Sequence, residues 1–222
     1  EHTDYSSLRV GEHLPPSAKP LLAGLGLTDL LAGGEHASSP GVRSLWGSAE
    51  PVDKDYLFDP HGEGVNLSRP AFDRSLAARA ASLGADVRTQ TKVAKLSYAA
   101  GAWRVSLAAV QGAVEVSATF AVDATGRAAS LAKRLGARPL VTDDMVGLVG
   151  QIGLGRDASA MHNWVFIEAQ EEGWWYSAGL ADGSCIATFL TDPDLVDLSL
   201  AGRAAVWRAQ LAKSTLTRVR QS

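Results

Sequence analysis

Asp123-Ala124-Thr125-Gly126-Arg127 is the segment whose residue types and order point most directly to ligand chemistry. It follows an apolar run, Thr119 to Val122, and opens into a helical pattern over about 128–135 that Gly136 stops. A turn of this kind brings backbone close to whatever lies beyond it. Gly126 carries no Cβ to block that approach. The start of the helix favours anionic groups, and Arg127 adds a positive charge. The same residues would also build an ordinary strand-to-helix turn, and both readings stand at this point.

Six tryptophans are many for 222 residues. Trp46, Trp164, Trp174 and Trp175 fall on or beside expected strands and loops, where they could wall an aromatic substrate pocket; core packing is the alternative for each. His2, His13, His36, His61 and His162 show no paired ligand spacing, so no metal centre is expected. No Gly-x-Ser-x-Gly elbow supplies a hydrolase nucleophile. Asp143-Asp144 and Glu171-Glu172 are adjacent pairs, which point to opposite faces of a strand and cannot act as a dyad. No catalytic acid or base is assigned. The single cysteine, Cys185, lies in an apolar run and reads as a small buried hydrophobe, which fits a cytoplasmic setting.

These residues need elements to position them. Pro15-Pro16 opens a short helix over 15–27 with Leu21, Leu22 and Leu25 on its apolar face. Residues 33–66, rich in Gly, Pro, Ser and Asp, read as loop with one or two short strands. Phe72, Leu76, Ala80 and Leu83 recur at helical spacing over 70–83, before Gly84. Strands follow at 86–98, 102–110 and 113–123, joined by turns at Ala100-Gly101 and Gln111-Gly112, and so form an antiparallel meander. Four more strands are predicted over 145–154, 164–169, 174–180 and 185–190. A last helix covers 199–216 with Leu200, Ala204, Trp207 and Leu211 on one face. The fold class is α/β (α+β): residues 1–140 with the meander, and residues 141–222 as a mainly antiparallel sheet, with a seam at 138–144.

Bulk properties narrow the function. Apolar residues make up 46% and charged residues 20%, enough for a real core. The formal charge of −3 argues against a nucleic-acid binder. No apolar run reaches the roughly 18 residues of a membrane span, and no signal peptide opens the chain. The sequon Asn66-Leu67-Ser68 reads as a chance match. Neither end reads as finished: the chain opens on Glu1 without a preceding strand and closes straight after a helical pattern.

Four motifs, taken together, resemble a known family. Phe120 to Arg127 resembles the Ala-Thr-Gly motif of FAD-binding oxidoreductases. Arg9-Val10-Gly11-Glu12-His13-Leu14-Pro15-Pro16 resembles the Gly-Glu-x-x-Pro stretch of the tryptophan-halogenase-like branch. Arg69-Pro70-Ala71-Phe72-Asp73-Arg74-Ser75-Leu76 is similar to a helix start shared with aromatic-ring hydroxylases, and Gly173-Trp174-Trp175-Tyr176 to a halogenase substrate-domain segment. They occur in family order over nearly the whole chain.

The resemblance implies a partial Rossmann-like FAD-binding domain over 1–140 and part of a substrate domain over 141–222. It puts Glu1 at the acidic position that holds the adenosine ribose hydroxyls. Val93 falls where a strand's backbone meets the adenine. Arg9 and Arg69 become candidates for the flavin phosphates or ring, and Asp123, Gly126 and Arg127 lie beside the dinucleotide. His13 and His36 could face the substrate side of the flavin. The implied activity is that of an FAD-dependent oxidoreductase, monooxygenase-like, with flavin reduced by NAD(P)H or a separate reductase.

Departures from the pattern matter equally. The Gly-x-Gly-x-x-Gly fingerprint should precede Glu1; neither Gly24-Leu25-Gly26 nor Gly153-Leu154-Gly155 replaces it. The later Gly-Asp motif should lie beyond Ser222. The chain by itself is therefore expected to bind FAD weakly or not at all. Ser38-Ser39-Pro40-Gly41-Val42 puts Ser39 where a halogenase needs lysine, which disfavours halogenation. The substrate is then a small organic molecule or a side chain of a partner protein, the latter for a maturation enzyme; an inactive structural remnant is the third reading.

Overall fold

The structure, a computed structural model, describes residues 1–109, 112–153, 161–197 and 199–221. The expected turn residue Gln111, and Leu154-Gly155 of the rejected fingerprint, lie outside them. The first elements are β1 (His13–Leu14), α1 (Ala18–Gly24), β2 (Ala37–Ser39), β3 (Gly41–Leu45), β4 (Val52–Asp55) and β5 (Gly64–Asn66). There follow α2 (Arg69–Ser82), β6 (Thr91–Ala99), β7 (Ala102–Ala109), β8 (Gly112–Ala118) and α3 (Ser130–Arg134). The last are β9 (Val146–Gly153), β10 (Val165–Gln170), β11 (Gly173–Gly179), β12 (Ser184–Thr191) and α4 (Leu200–Lys213).

The chain compacts into two units: Glu1–Ser7 with Ala77–Thr142, and Leu8–Leu76 with Asp143–Ser222. The seam expected at 138–144 is thus the last of three crossings. Residues 8–76 pack with the C-terminal part because β3 pairs in parallel with β10, Val42 opposite Val165.

The larger unit holds a six-stranded sheet, order β4-β3-β10-β11-β12-β9, antiparallel except at that one pair. The four strands expected over 145–190 form its greater part. The segment 33–66 is more ordered than predicted: it contributes four strands, two of them (β3 and β4) to this sheet. Side chains alternate across a strand, so Trp175 and Phe189 face α4 while Trp174 and Tyr176 face the other way. Leu148, Trp175, Ala187, Phe189 and Leu211 form the core, with Val206 and Trp207 packed against them. Ser199 starts α4 as its N-cap, accepting from the Gly202 amide at 3.0 Å.

A three-stranded sheet, β1-β5-β2, completes this unit. Val65, Leu67 and Phe72 pack with Leu14, Leu22, Leu30, Leu31 and Leu76. Of the face predicted for α1, only Leu22 joins them; Leu21 and Leu25 are each 71% exposed. Asn66 is fully buried and its amide donates to the Asn163 and Gly179 carbonyls at 2.8 and 3.1 Å, so the sequon is structural.

The smaller unit is the expected meander, β6-β7-β8. Ala100 and Gly101, at φ 52° and 80°, close its first hairpin with two positive-φ residues, the geometry that matches strand twist. The third strand stops at Ala118 rather than 123. Its partner β7 has by then run back to Trp103, so later residues find no ladder. Phe120 and Val122 are left exposed.

Candidate functional site

In the smaller unit, Glu1, Asp86, Arg88, Thr91, Val93, Leu107 and Val116 line a cavity of about 310 Å³. Two candidates far apart in sequence, Glu1 and Val93, thus share one site. Glu1 is stitched to the start of β6: its carbonyl accepts from the Thr91 amide at 2.9 Å and its backbone nitrogen donates to the Arg88 carbonyl at 2.9 Å. Its carboxylate accepts from the Thr3 amide and hydroxyl at 3.0 and 2.8 Å. Arg88 pairs with Asp86 at 2.6 Å. One rim is therefore polar and the sheet wall apolar, a lining suited to a heteroaromatic base with a hydroxylated sugar.

The Asp123–Arg127 turn belongs to the same unit. Asp123 accepts from the Thr125 hydroxyl at 2.6 Å and amide at 3.1 Å, and from the Leu131 and Ala132 amides at 3.0 and 2.9 Å. The Thr125 hydroxyl, then the Ala132 amide, hold its carboxyl down to about 2. This corrects one expectation: the first amides of the five-residue α3 serve Thr125 (from Ser130) and Asp123 (from Leu131 and Ala132) and are not offered to a ligand anion. Gly126 sits at φ +62°, and a Cβ there would meet no protein atom. The left-handed conformation therefore asks for glycine, and the space before it is open to a ligand. Arg127 is exposed.

Arg134 escaped sequence reasoning. Its Nη1 donates to the Val93 and Ala94 carbonyls at 2.7 and 2.8 Å. Lys133-Arg134 reads in sequence only as charge at a helix end, and nothing local announces the bulge it serves.

In the larger unit, Arg9 and Arg69 both turn to Asp73. Arg9 reaches it at 3.2 Å, and Arg69 at 3.3 Å while also donating to the Val10 and Gly11 carbonyls at 2.7 and 3.2 Å. Their guanidinium groups thus tie β1's approach to the start of α2. Trp46 and Trp174 meet edge-to-face, centroids 5.9 Å apart, on the sheet face away from α4. Trp175 does not join them. It is fully buried against Phe189 and Trp207, because adjacent strand residues point oppositely.

His13 and His36 are partly buried. His13 shares hydrogen bonds with Asn66 at 3.0 Å and Tyr56 at 3.2 Å, and burial pushes its pKa down. His36 accepts from the Ser68 amide at 3.1 Å. Ser39 is fully buried.

Glu12, quoted above only within a motif, is 1% exposed, and its Oε1 finds no hydrogen-bond partner. Burial raises its pKa, against the lowering effect of the Gly11 amide and the Tyr176 hydroxyl. Burial likewise raises Tyr176. Glu12 keeps its proton to a higher pH folded than unfolded. Its contribution to stability is present below about 4.5, the ordinary value, and is lost as pH rises through the raised one. Glu12→Gln, which cannot ionise, is expected to lose less stability between pH 4.5 and 8 than the parent. Urea unfolding across that range measures it, and parallel curves for the two proteins would refute it.

The fold is one also found in flavin-dependent halogenases and related flavoproteins. The fold matches the flavin-dependent halogenase CmlS (TM-score 0.81, 22% identity, 96% of this chain and 40% of that one). It also matches a flavoprotein/dehydrogenase from Cytophaga hutchinsonii (TM-score 0.84, 20% identity, 100% and 56%). In sequence the chain is related to LodB of Marinomonas mediterranea, provisionally assigned as an FAD-dependent oxidoreductase, at 33% identity over 218 residues. A chlorinase of pyrrole-2-carbonyl groups on a peptidyl-carrier protein, from Pseudomonas fluorescens, is 32% identical over 153 residues. The chain spans 58% of LodB and 33% of the chlorinase; the alignments use 97% and 58% of its own length. No protein-family model matches it. Among the described residues no helix is long and apolar enough to cross a membrane.

Proposed function

We propose that the chain is part of an FAD-dependent, monooxygenase-like oxidoreductase whose smaller unit receives the adenosine end of the cofactor. The cavity shared by Glu1 and Val93 carries this reading. Glu1 would accept from the ribose hydroxyls, Val93 and Leu107 would lie against the adenine, and Gly126 leaves room for backbone to approach the dinucleotide. When bound, the flavin supplies the redox chemistry, with NAD(P)H as the proposed source of electrons. The protein's part is to orient the substrate and keep water away. The Trp46–Trp174 pair would offer an organic substrate an aromatic wall. Cys185 is buried, which pushes its thiol up to about 11, and a cytoplasmic setting belongs to the same reading.

A second reading takes a partner protein's side chain as substrate. Trp46, Val52, Leu57 and Phe58 favour it: all are exposed, Phe58 at 95%, within one stretch of the larger unit.

On this reading the adenosine end carries the binding, so FAD should bind no more than roughly tenfold better than AMP, a gap of about 1.4 kcal/mol. Glu1→Gln should weaken both by roughly tenfold or more, the worth of hydrogen bonds to a charged group. Calorimetric titration of AMP, FAD and FMN tests this. Equal binding of FMN and FAD, or indifference to Glu1→Gln, would refute the assignment.

A further inference from the structure

We infer that Arg134 is a positioning residue for the nucleotide cavity, acting through the bulge in β6; this rests on reading that cavity as the adenosine site. β6 pairs with β7 at Val93↔Leu107 and again at Lys95↔Ser106, so its register shifts at Ala94. In a regular strand, Val93 and Leu96 would point to opposite faces. The extra residue changes the phase. Thr91 and Val93 before the bulge, and Leu96 and Tyr98 after it, then share the face presented by Trp103, Val105, Leu107, Val114 and Val116. Part of that face is the cavity wall.

A bulge leaves backbone groups outside the ladder, and here Arg134 collects two of them. One guanidinium nitrogen donates to the Val93 and Ala94 carbonyls at 2.7 and 2.8 Å. The arginine comes from α3, whose start is held by Asp123 of the Gly126 turn. The turn, the helix and the wall strand are thus one connected device. Without the guanidinium the bulge loses its clamp. A one-residue slip then carries Lys92 and Ala94 to the wall in place of Thr91 and Val93, or brings Lys95 and Ser97 to the apolar face in place of Leu96 and Tyr98.

Arg134→Ala, Arg134→Lys and the exposed control Arg138→Ala are compared in the full chain by two measurements. Amide hydrogen exchange over 91–98 reads the clamp. AMP titration, with FMN as comparator, reads the cavity. Arg134→Ala is expected to speed exchange there at least tenfold and to weaken AMP at least tenfold, with FMN unchanged. Arg134→Lys, which keeps a charged donor group at the same helix end, should restore both readouts to within about threefold of the parent. Unaltered exchange in Arg134→Ala overturns the clamp, whatever AMP does. Faster exchange with unaltered AMP affinity overturns the positioning role. If the parent chain binds no AMP at millimolar concentration while exchange behaves as expected, the adenosine reading falls and the clamp stands as a structural one.

Discussion

Trp175→Ala is expected to destabilise the larger unit by about 3–5 kcal/mol, the range for removing a fully buried large aromatic. Trp175 has no exposed surface, packs on Phe189 and Trp207 with centroids 5.1 and 5.6 Å away, and donates from its indole to Gln170 at 3.1 Å. The gap would open in the middle of the cluster formed with Leu148, Phe189, Leu211 and Trp207. The matched control is the next residue. Trp174 lies on the opposite face, and its alanine variant should cost about 0.5–1.5 kcal/mol, the value of its edge-to-face pair with Trp46. Urea unfolding followed by far-ultraviolet dichroism measures both. Equal losses, or a larger loss at Trp174, would mean that β11 is out of register by one residue, since such a slip exchanges the faces of the whole strand.

This contrast also marks where sequence reasoning reaches its limit. Gly173-Trp174-Trp175-Tyr176 shows a strand, and alternation shows that the two tryptophans part company. Which one goes to the core depends on which sheet face α4 covers, and that is decided by contacts with residues 206–211. The meander was legible because it is local: period-two alternation, a Gly turn, adjacent pairing. β3 was not, since its partner β10 lies more than 120 residues later in a parallel pair with no hairpin to announce it. The same holds for sites. Glu1 and Val93 could be nominated by resemblance, but only the fold brings them to one cavity. Arg9 and Arg69 were legible as charges and not as a pair converging on Asp73. Gly126 was recognised as special for its missing Cβ; the structure shows that the positive φ is what calls for glycine there, since a Cβ would meet no protein atom.

The other large effect is expected at Glu168. Its buried carboxylate accepts from the Thr215, Leu216 and Thr217 amides, the last two at 3.0 Å each, and from the Thr217 hydroxyl at 3.1 Å. A strand carboxylate thus takes the place of missing backbone acceptors just after α4. Glu168→Ala leaves three amides without acceptors, and an unsatisfied buried donor costs about 1–3 kcal/mol. Partial rehydration of the freed segment limits the sum, so the expected loss is about 3–5 kcal/mol, in line with breaking a buried charged network. Glu168→Gln keeps one acceptor oxygen but turns an NH2 toward amides, and should fall between. The loss has a local signature. Arg220 stacks 3.9 Å over Phe166 and donates to the His162 and Trp164 carbonyls at 2.9 and 2.5 Å, and releasing 215–217 is expected to expose it. Trypsin should therefore cut after Arg218 and Arg220 at least tenfold faster in Glu168→Ala than in the parent, and at an intermediate rate in Glu168→Gln. Because both residues hold one segment, Glu168→Ala and Arg220→Ala should combine to less than the sum of their separate losses. Full additivity, or parental cleavage rates in Glu168→Ala, would show that the segment is held by something other than this carboxylate.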